Sequence, residues 1–373
     1  MQKIGVVTLY GNNNIGNKLQ TYAVKRLYQS LGYDVTIVNH IDGELYPNLT
    51  LTVWVKLRIM ALLSRICPVI HPKSRRRRLF TDFADNYLTP SEKVSILRVP
   101  SDLKERYDFF SVGSDQVWHN WSGTTKELDF FFLKFADKRQ RLCLSPSFGL
   151  ESIPESEKET YRNGLNGFPR LSCREASGVE LIRALTGREA TLLLDPTMGL
   201  SAEDWTRLER KPPYPLPERY VLSFMLDMTE ETQLKSMNAV SRYAHLLGAD
   251  VVNINDRLNL TERYVATGPQ EFLYLIRHAL FICTNSFHGT VFSILFHRNF
   301  VCFDREDVSA WGEMSNRIDT LLDKFHLTSR RYGVLRDEDL LSADYTGAEE
   351  TLSLERKRIL DYMQETLADN SES

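Results

Sequence analysis

The chain has 373 residues, 42% hydrophobic and 25% charged, a size and composition typical of a globular protein with two domains. The net charge is −3 and the pI is about 6.3, so no basic field points to nucleic acid and we expect no such partner. Five cysteines lie apart without a C-x-x-C pair, which argues against a metal site and favours a reducing compartment.

The first half of the chain alternates short apolar runs with helical periodicity. Residues 4–10 predict a strand, and residues 17–31 predict a helix that ends before Gly32. Four further strand candidates follow at residues 35–38, 107–112, 141–144 and 191–194, with a shorter one at 170–172. The intervals are long enough for crossover helices, so the pattern predicts a parallel sheet.

A proline-rich stretch within residues 201–219 interrupts this rhythm, which restarts afterwards. Strands are predicted at 220–226, 250–255, 280–284 and 300–303, and helices at 230–247, at 270–278 and from Phe287. We therefore predict an α/β protein with two facing, doubly wound Rossmann-type domains. The predicted boundaries are 1–200, a linker at 201–219, 220–345, and a C-terminal segment at 346–373. That segment is predicted to form a helix over 352–367 and a disordered tail over 369–373, with the packed face of the helix carrying Leu354, Ile359, Leu360 and Met363.

Residues 281–292 read as a buried strand, a polar turn and a helix that begins at once. Ser286 is a natural N-cap, which leaves the positive end of the helix dipole beside His288. Gly289 has no Cβ, so a ligand can approach the backbone there. The segment predicts an anion site that holds an acid/base; a packed histidine at an ordinary helix start is the alternative.

Polar side chains also follow the first strand. The loop supplies Asn12 and Asn13, and Asn17 is predicted to cap the next helix. Lys18 is displaced from the second glycine, so the loop is not a phosphate-binding P-loop. Its amides suit a polyhydroxylated ligand, and ordinary turn punctuation is the alternative.

Candidate ligand-binding side chains follow two more predicted strands. Ser114, Asp115 and Gln116 follow a buried strand and precede Trp118, an aromatic that could stack on a sugar ring. Arg174 emerges directly from a strand, where a guanidinium suits a carboxylate or phosphate. The alternative for Arg174 is a surface pair with its neighbour Glu175.

Together these segments resemble the polysaccharide pyruvyl transferase family. The resemblance is carried, in this order along the chain, by residues 11–19, 112–118, 174–178, 194–197, 268–272 and 286–290. It implies a GT-B-like fold and the transfer of pyruvate from phosphoenolpyruvate to two hydroxyls of a sugar as a ketal. The donor is a substrate, and no cofactor or metal is expected. The acceptor would be a cell-surface glycan or its lipid-linked precursor.

The resemblance also assigns roles to residues, with the acceptor on the N-terminal domain and the donor anion on the C-terminal one. The family's histidine falls on His288 and its anion-binding arginine on Arg174, which are the predicted catalytic residues. Many relatives carry an arginine where this chain has Ser286, so the helix N-terminus is predicted to hold the phosphate together with Arg317, which follows Asn316 at the start of another predicted helix. The remaining predicted site residues are Phe287, Gly289 and Thr290 for the donor, and Asn12, Asn13, Asn17, Ser114, Asp115, Gln116 and Trp118 for the acceptor.

Residues 52–78 join an apolar segment to a basic run. This combination suits an interfacial element on anionic lipid, and a surface helix with a solvated basic loop is the alternative. The N-terminus runs straight into a strand, so no signal peptide is expected. We expect a cytoplasmic protein, with a peripheral contact at the inner face of the plasma membrane if residues 52–78 bind lipid.

Two other function classes remain open from the sequence. A nucleotide-sugar glycosyltransferase would share the architecture, but no acidic pair is evident for a ribose or a metal. A non-catalytic glycan-binding module would need a cleft without ordered acid/base chemistry.

Overall fold

A computed structural model of the chain describes residues 1–11, 13–41, 72–226, 230–254, 266–304 and 316–372. The chain divides into two units. Unit 1 consists of Met1–Leu63, Phe80–Leu200 and Leu352–Ser373, and unit 2 consists of Ser64–Leu79 and Ser201–Thr351. The chain therefore visits unit 2 twice, and its C-terminal segment returns to unit 1.

Unit 1 is built on five parallel strands: β1 (Lys3–Val7), β2 (Asp34–Ile41), β3 (Pro90–Ser95), β4 (Phe109–Val112) and β5 (Arg141–Cys143). Their order in the sheet is β3-β2-β1-β4-β5. β4 is buried along its whole length, as expected for a parallel strand covered on both faces. A parallel pair, β6 (Ser172–Cys173) and β7 (Thr191–Leu192), continues the unit.

Helix α1 (Ile15–Ser30) follows β1 and begins earlier than predicted. Its N-cap is Asn14, whose Oδ1 accepts a hydrogen bond from the Asn17 N–H at 3.2 Å. The prediction that Asn17 caps this helix was therefore wrong. The next helices along the chain are α2 (Pro72–Phe83), α3 (Thr125–Phe131), α4 (Lys158–Leu165) and α5 (Ala176–Thr186).

Unit 2 contains four parallel strands: β8 (Tyr220–Phe224), β9 (Asp250–Asn253), β10 (Phe281–Thr284) and β11 (Phe300–Cys302). Their order is β11-β10-β8-β9. β8, β10 and β11 are buried throughout. The prediction of two doubly wound parallel sheets is confirmed.

The helices of unit 2 include one that the sequence did not predict. They are α6 (Ala202–Leu208), α7 (Glu230–Leu247), α8 (Pro269–His278), α9 (Phe287–Leu295) and α10 (Asn316–Lys324). α6 lies within the predicted linker, and its Trp205 is buried against Phe292 with ring centroids 5.0 Å apart. Residues 202–208 are thus part of the packed unit and do not form a linker.

The C-terminal helix α11 (Ala348–Glu372) is longer than predicted. It continues through the segment that was expected to be a disordered tail, because Arg170 donates a hydrogen bond to Asp369 at 2.5 Å and Asn370 is buried. Leu354 was expected on the packed face but is largely exposed. The buried face is instead formed by Leu352, Ile359, Tyr362, Met363 and Leu367.

Candidate functional site

The winding of the unit 2 sheet reverses between two strands. β9 lies on one side of β8, and the next strand along the chain, β10, lies on the other. Ligands of doubly wound sheets bind at the carboxyl ends of the strands that flank such a switch point. The Asn285 side chain joins these two ends: its Oδ1 accepts from the Leu226 N–H at 2.7 Å, and its Nδ2 donates to the Leu226 carbonyl at 2.8 Å.

α9 begins at this switch point with the predicted cap. Ser286 has extended backbone angles, and its Oγ accepts from the Gly289 N–H at 3.3 Å. Thr284 supports the turn, because its Oγ1 donates to the Phe224 carbonyl at 2.7 Å and accepts from the Ser286 N–H at 3.0 Å. The positive end of the α9 dipole therefore lies at the carboxyl edge of the sheet.

Three predicted donor-site residues meet at the start of α9. The Phe287 and His288 rings pack edge to face with centroids 5.4 Å apart. The Arg317 guanidinium lies 5.9 Å from the Phe287 ring centroid, within cation–π range. His288 is 5% exposed and Arg317 8% exposed. A guanidinium, an imidazole and a helix N-terminus suit a small anion on which acid/base chemistry is done.

Unit 1 has its own switch point, between β1 and β4. The loops that follow these strands are in direct contact there. The Thr8 Oγ1 donates to the Ser114 carbonyl at 3.4 Å, and the Gln20 Nε2 donates to the Thr8 Oγ1 at 2.6 Å. Gly113 permits this approach, because a Cβ at that position would lie 3.1 Å from the Thr8 Cβ.

A buried ion-pair network lies next to this switch point. The Arg174 Nη1 donates to Asp195 Oδ2 at 2.8 Å, and its Nη2 donates to Asp115 Oδ1 at 2.9 Å. The Ser114 Oγ donates to the same Asp195 oxygen at 2.9 Å, and Glu175 lies 3.8 Å from the Arg174 Nε. We call these five residues the Arg174 network.

The Arg174 network contains more acidic than basic groups, since one guanidinium faces three carboxyl groups. Burial alone would lower the pKa of Arg174, but Asp115, Asp195 and Glu175 together raise it above its ordinary value. Asp115 is the most accessible of these charged groups, with 12% of its side chain exposed. It also has a left-handed backbone, with φ of 71°.

The sequence matches the family described as polysaccharide pyruvyl transferase over residues 14–307. The chain belongs to the polysaccharide pyruvyl transferase family. Membership makes the protein a transferase and implies a saccharide acceptor. No curated protein matches the sequence.

This pyruvyl transferase family member shares its fold with nucleotide-sugar enzymes. A UDP-N-acetylglucosamine 2-epimerase from Listeria monocytogenes is 11% identical with a TM-score of 0.52, over 96% of this chain and 95% of that chain. The S. aureus MnaA–UDP co-structure is 10% identical with a TM-score of 0.51, over 97% and 91% of the two chains. These similarities confirm the predicted GT-B-like fold; at such low identity they concern the fold alone.

Arg174 was predicted either to bind an anion or to form a surface pair with Glu175, and its position fits neither prediction. Its side chain has no exposed surface, and Asp115 and Asp195 hold its guanidinium from two sides. A donor anion could reach it only by breaking these ion pairs. Arg174 is also not a surface partner of Glu175, because both side chains are buried.

Two predicted acceptor-binding residues of this family member are part of the core. Trp118 is 0% exposed, and its ring lies 5.2 Å from Phe148 and 5.7 Å from Phe132, so it cannot stack on a sugar. Asn17 is buried in the first turn of α1. A position shortly after a strand does not decide which way the Trp118 side chain points, and Asn17 is buried because α1 begins before it.

The other predicted acceptor residues differ in accessibility. Asn13 is exposed, whereas Ser114 is buried within the Arg174 network. The Gln116 side chain packs over Gly149, where a Cβ would lie 2.0 Å from its Nε2. Asn12 lies outside the described residues.

Gly289 and Thr290 have structural roles in the turn at the start of α9. A Cβ on Gly289 would lie 2.3 Å from the Thr284 Oγ1, so packing against Thr284 requires a glycine there. Thr290 is 0% exposed, and its Oγ1 donates to the Ser286 carbonyl at 3.2 Å. Both residues hold the first turn of α9, and their contact with the donor stays a prediction.

Part of the basic run makes contacts within unit 2. Arg75 lies over the Tyr214 ring at 4.2 Å, and Arg76 is buried with its Nη1 donating to the Ile254 carbonyl at 3.4 Å. Arg77 and Arg78 are exposed. Residues 52–71 lie outside the described residues, so lipid contact stays a prediction. No helix among the described residues is long and apolar enough to cross a bilayer.

Sequence reasoning gave no role to Asp195 or Lys18. Asp195 directly follows the strand predicted at residues 191–194, and a carboxylate there was the available signal for a partner of Arg174. Lys18 is buried over the Tyr10 ring at 4.0 Å, and burial lowers its pKa to about 8. Within the part of the chain that the structure describes, no group of three or more metal-ligating side chains is arranged to hold a metal.

Proposed function

We propose that this protein transfers pyruvate from phosphoenolpyruvate to two hydroxyls of a sugar in a cell-surface glycan or its lipid-linked precursor, forming a ketal and releasing phosphate. Family membership supports the transferase and its saccharide acceptor. The observation that carries the donor is the cluster at the start of α9, where His288 and Arg317 both pack by Phe287.

The reaction needs an acid and a site for a leaving anion. The methylene carbon of the donor gains one proton, and the central carbon is then attacked by one sugar hydroxyl and afterwards by the second. Each hydroxyl loses a proton; in net terms one is balanced by the new methyl group and the other by the departing phosphate. The phosphate leaves with the electron pair of its bond to that carbon, so a cationic pocket favours the reaction.

The unit 2 residues supply these functions in the proposal. His288 is the proton donor, and the α9 N-terminus with Arg317 and Ser286 holds the phosphate. A bound dianion favours the imidazolium form of the neighbouring His288, so donor binding itself prepares the acid. Phe287 orients the histidine ring and the guanidinium through the contacts that it makes with both.

The decisive assay mixes the protein with phosphoenolpyruvate and candidate glycans and follows free phosphate and acceptor mass. Phosphate release with a ketal mass gain supports the proposal. Acceptor extension that requires a nucleotide sugar would instead support the glycosyltransferase alternative, and saturable glycan binding without turnover would support a binding module.

A matched pair of variants tests the role of His288. His288→Gln is expected to lower kcat about 100-fold or more, a typical loss for a general acid. His245→Gln changes an exposed histidine on α7 and should keep full activity. Normal turnover by His288→Gln across the pH range would remove the histidine from the mechanism.

A further inference from the structure

The basic run at residues 75–78 has no part in the proposed mechanism, yet one of its arginines is buried at the carboxyl edge of the unit 2 sheet. Arg76 is 6% exposed, and its Nη1 donates to the carbonyl of Ile254, the residue that directly follows β9. β9 pairs with β8, and β8 forms one side of the unit 2 switch point. Arg76 therefore lies at the same edge of the sheet as the start of α9.

Helix α2 holds Arg76 there through contacts on both sides of it in the sequence. Arg75 stacks on Tyr214, and Leu79 packs on Gly268, where a Cβ would lie 2.6 Å from the Leu79 Cβ. Residues 75, 76 and 79 share one face of a helix, because neighbours three and four positions apart lie together. Arg77 lies on the opposite face, and both Arg77 and Arg78 are exposed.

The turn that receives α2 is itself fixed. Glu271 Oε2 accepts from the Gly268 N–H at 3.1 Å, and its Oε1 accepts from the Arg210 Nε at 2.6 Å. The surface under Leu79 is thus part of the folded unit rather than a loose loop. A guanidinium held in this way is pre-organised for a ligand, so little side-chain entropy is lost on binding.

We infer that Arg76 binds the carboxylate of the donor while the start of α9 and Arg317 bind its phosphate. This inference rests on the proposed function and names a residue for the second anionic group of the same donor. The carboxyl ends of β9 and β10 are two strands apart, on the order of 10 Å. The Arg76 Nη1 contacts the Ile254 carbonyl at this edge, and the inference places a ligand with an anion at each end between Arg76 and the start of α9.

The chemistry favours arginine for this task. A guanidinium binds a carboxylate through two parallel hydrogen bonds, which orient the ligand as well as attract it. Orientation matters for the proposed reaction, because the methylene carbon must face the acid. A lysine in the same place would supply charge without this fork.

The test compares Arg76→Met with Arg77→Met, its exposed neighbour in the same basic run. Calorimetry measures the binding of phosphoenolpyruvate and, separately, of inorganic phosphate to the full-length protein. For Arg76→Met we expect phosphoenolpyruvate affinity to fall about 10- to 100-fold, the loss of a charge-assisted bidentate contact, while phosphate affinity changes less than about threefold. Arg77→Met should match the wild type for both ligands.

The Arg76→Lys variant separates an effect on ligand binding from an effect on folding. This variant keeps the buried charge, and its phosphoenolpyruvate affinity should lie between those of the wild type and Arg76→Met, with an unchanged urea midpoint. If Arg76→Met does not fold, the ratio of phosphoenolpyruvate to phosphate affinity in Arg76→Lys decides, and a ratio equal to that of the wild type overturns the inference.

Two other outcomes would also overturn the inference, and a third would overturn the proposed function. Wild-type affinity for phosphoenolpyruvate in folded Arg76→Met, or an equal loss for both ligands, overturns the assignment of the carboxylate to Arg76. A wild-type protein that binds no phosphoenolpyruvate overturns the proposed function as well. The wild-type titration therefore tells the two failures apart.

Discussion

The contact between Gly289 and Thr284 gives a prediction with a defined sign. In Gly289→Ala the new Cβ would lie 2.3 Å from the Thr284 Oγ1, roughly 1 Å closer than ordinary van der Waals contact. Overpacking of this kind costs about 1–3 kcal/mol, and moving Thr284 also weakens its bonds to the Phe224 carbonyl and the Ser286 N–H, at about 1 kcal/mol each.

The helix propensity of alanine partly offsets the cost of overpacking. Alanine is favoured over glycine in a helix interior by up to about 1 kcal/mol, and less in a first turn. The net expectation for Gly289→Ala is a loss of about 2 kcal/mol in the free energy of unfolding, measured from urea denaturation curves. Turnover should fall as well, because the displaced turn carries His288.

A double-mutant cycle isolates the clash. Thr284→Ala removes the Oγ1 and the Cγ2 and leaves only the residue 284 Cβ, 3.0 Å from the new Cβ, so Gly289→Ala should cost less than about 1 kcal/mol in that background. If Gly289→Ala is as stable as the wild type, or if its cost is the same with and without the Thr284 side chain, the packing explanation for the glycine is refuted.

Substitutions at three polar residues give further tests. Burial lowers the pKa of Lys18 to about 8, so between pH 8 and 10.5 the folded protein has released a proton that the unfolded chain keeps, and this group makes stability rise with pH in that window. The difference in unfolding free energy between the wild type and Lys18→Met should change by up to about 3 kcal/mol between pH 7 and 10.5; a constant difference would contradict the assignment. Arg174→Met leaves buried carboxylates without their counter-charge and should cost about 3–5 kcal/mol in urea denaturation, whereas an unaltered midpoint would contradict the buried ion pair. Ser286→Ala should lose about 0.5–2 kcal/mol of capping energy. Ser286→Asp should keep the cap but weaken phosphoenolpyruvate binding in calorimetry, and unchanged binding would move the phosphate away from α9.

The elements that local sequence encodes were predicted well. The helix at residues 230–247 and the Ser286 cap depend on periodicity and on a hydrogen bond three residues away, and both are present as predicted. β3 and α6 were missed, the first because it begins with Pro90 and carries exposed charges, the second because it precedes a proline-rich stretch.

The site was less predictable because its contacts join distant parts of the chain. Arg174 finds Asp115 at a separation of 59 residues, and Arg76 finds Ile254 at a separation of 178. No periodicity or capping pattern reports such pairings. Residues that follow a strand in the sequence were correctly expected near the carboxyl edge of a sheet. The sequence did not show that Trp118 points into the core or that carboxylates hold Arg174.

The distribution of charge gives a reason to place the donor on unit 2. The Arg174 network of unit 1 sets one guanidinium against three carboxyl groups, and such a cluster repels a dianion while accepting hydrogen bonds from hydroxyls. In unit 2 the carboxylates of Asp304 and Asp319 are both paired with Arg331, which offsets their charge near the start of α10. The α9 N-terminus, Arg317 and Arg76 then provide positive potential at one edge of that sheet. This difference in charge is the reason for proposing that the phosphorylated enol binds at this edge of unit 2 and not at the Arg174 network, whose most accessible charged side chain is Asp115.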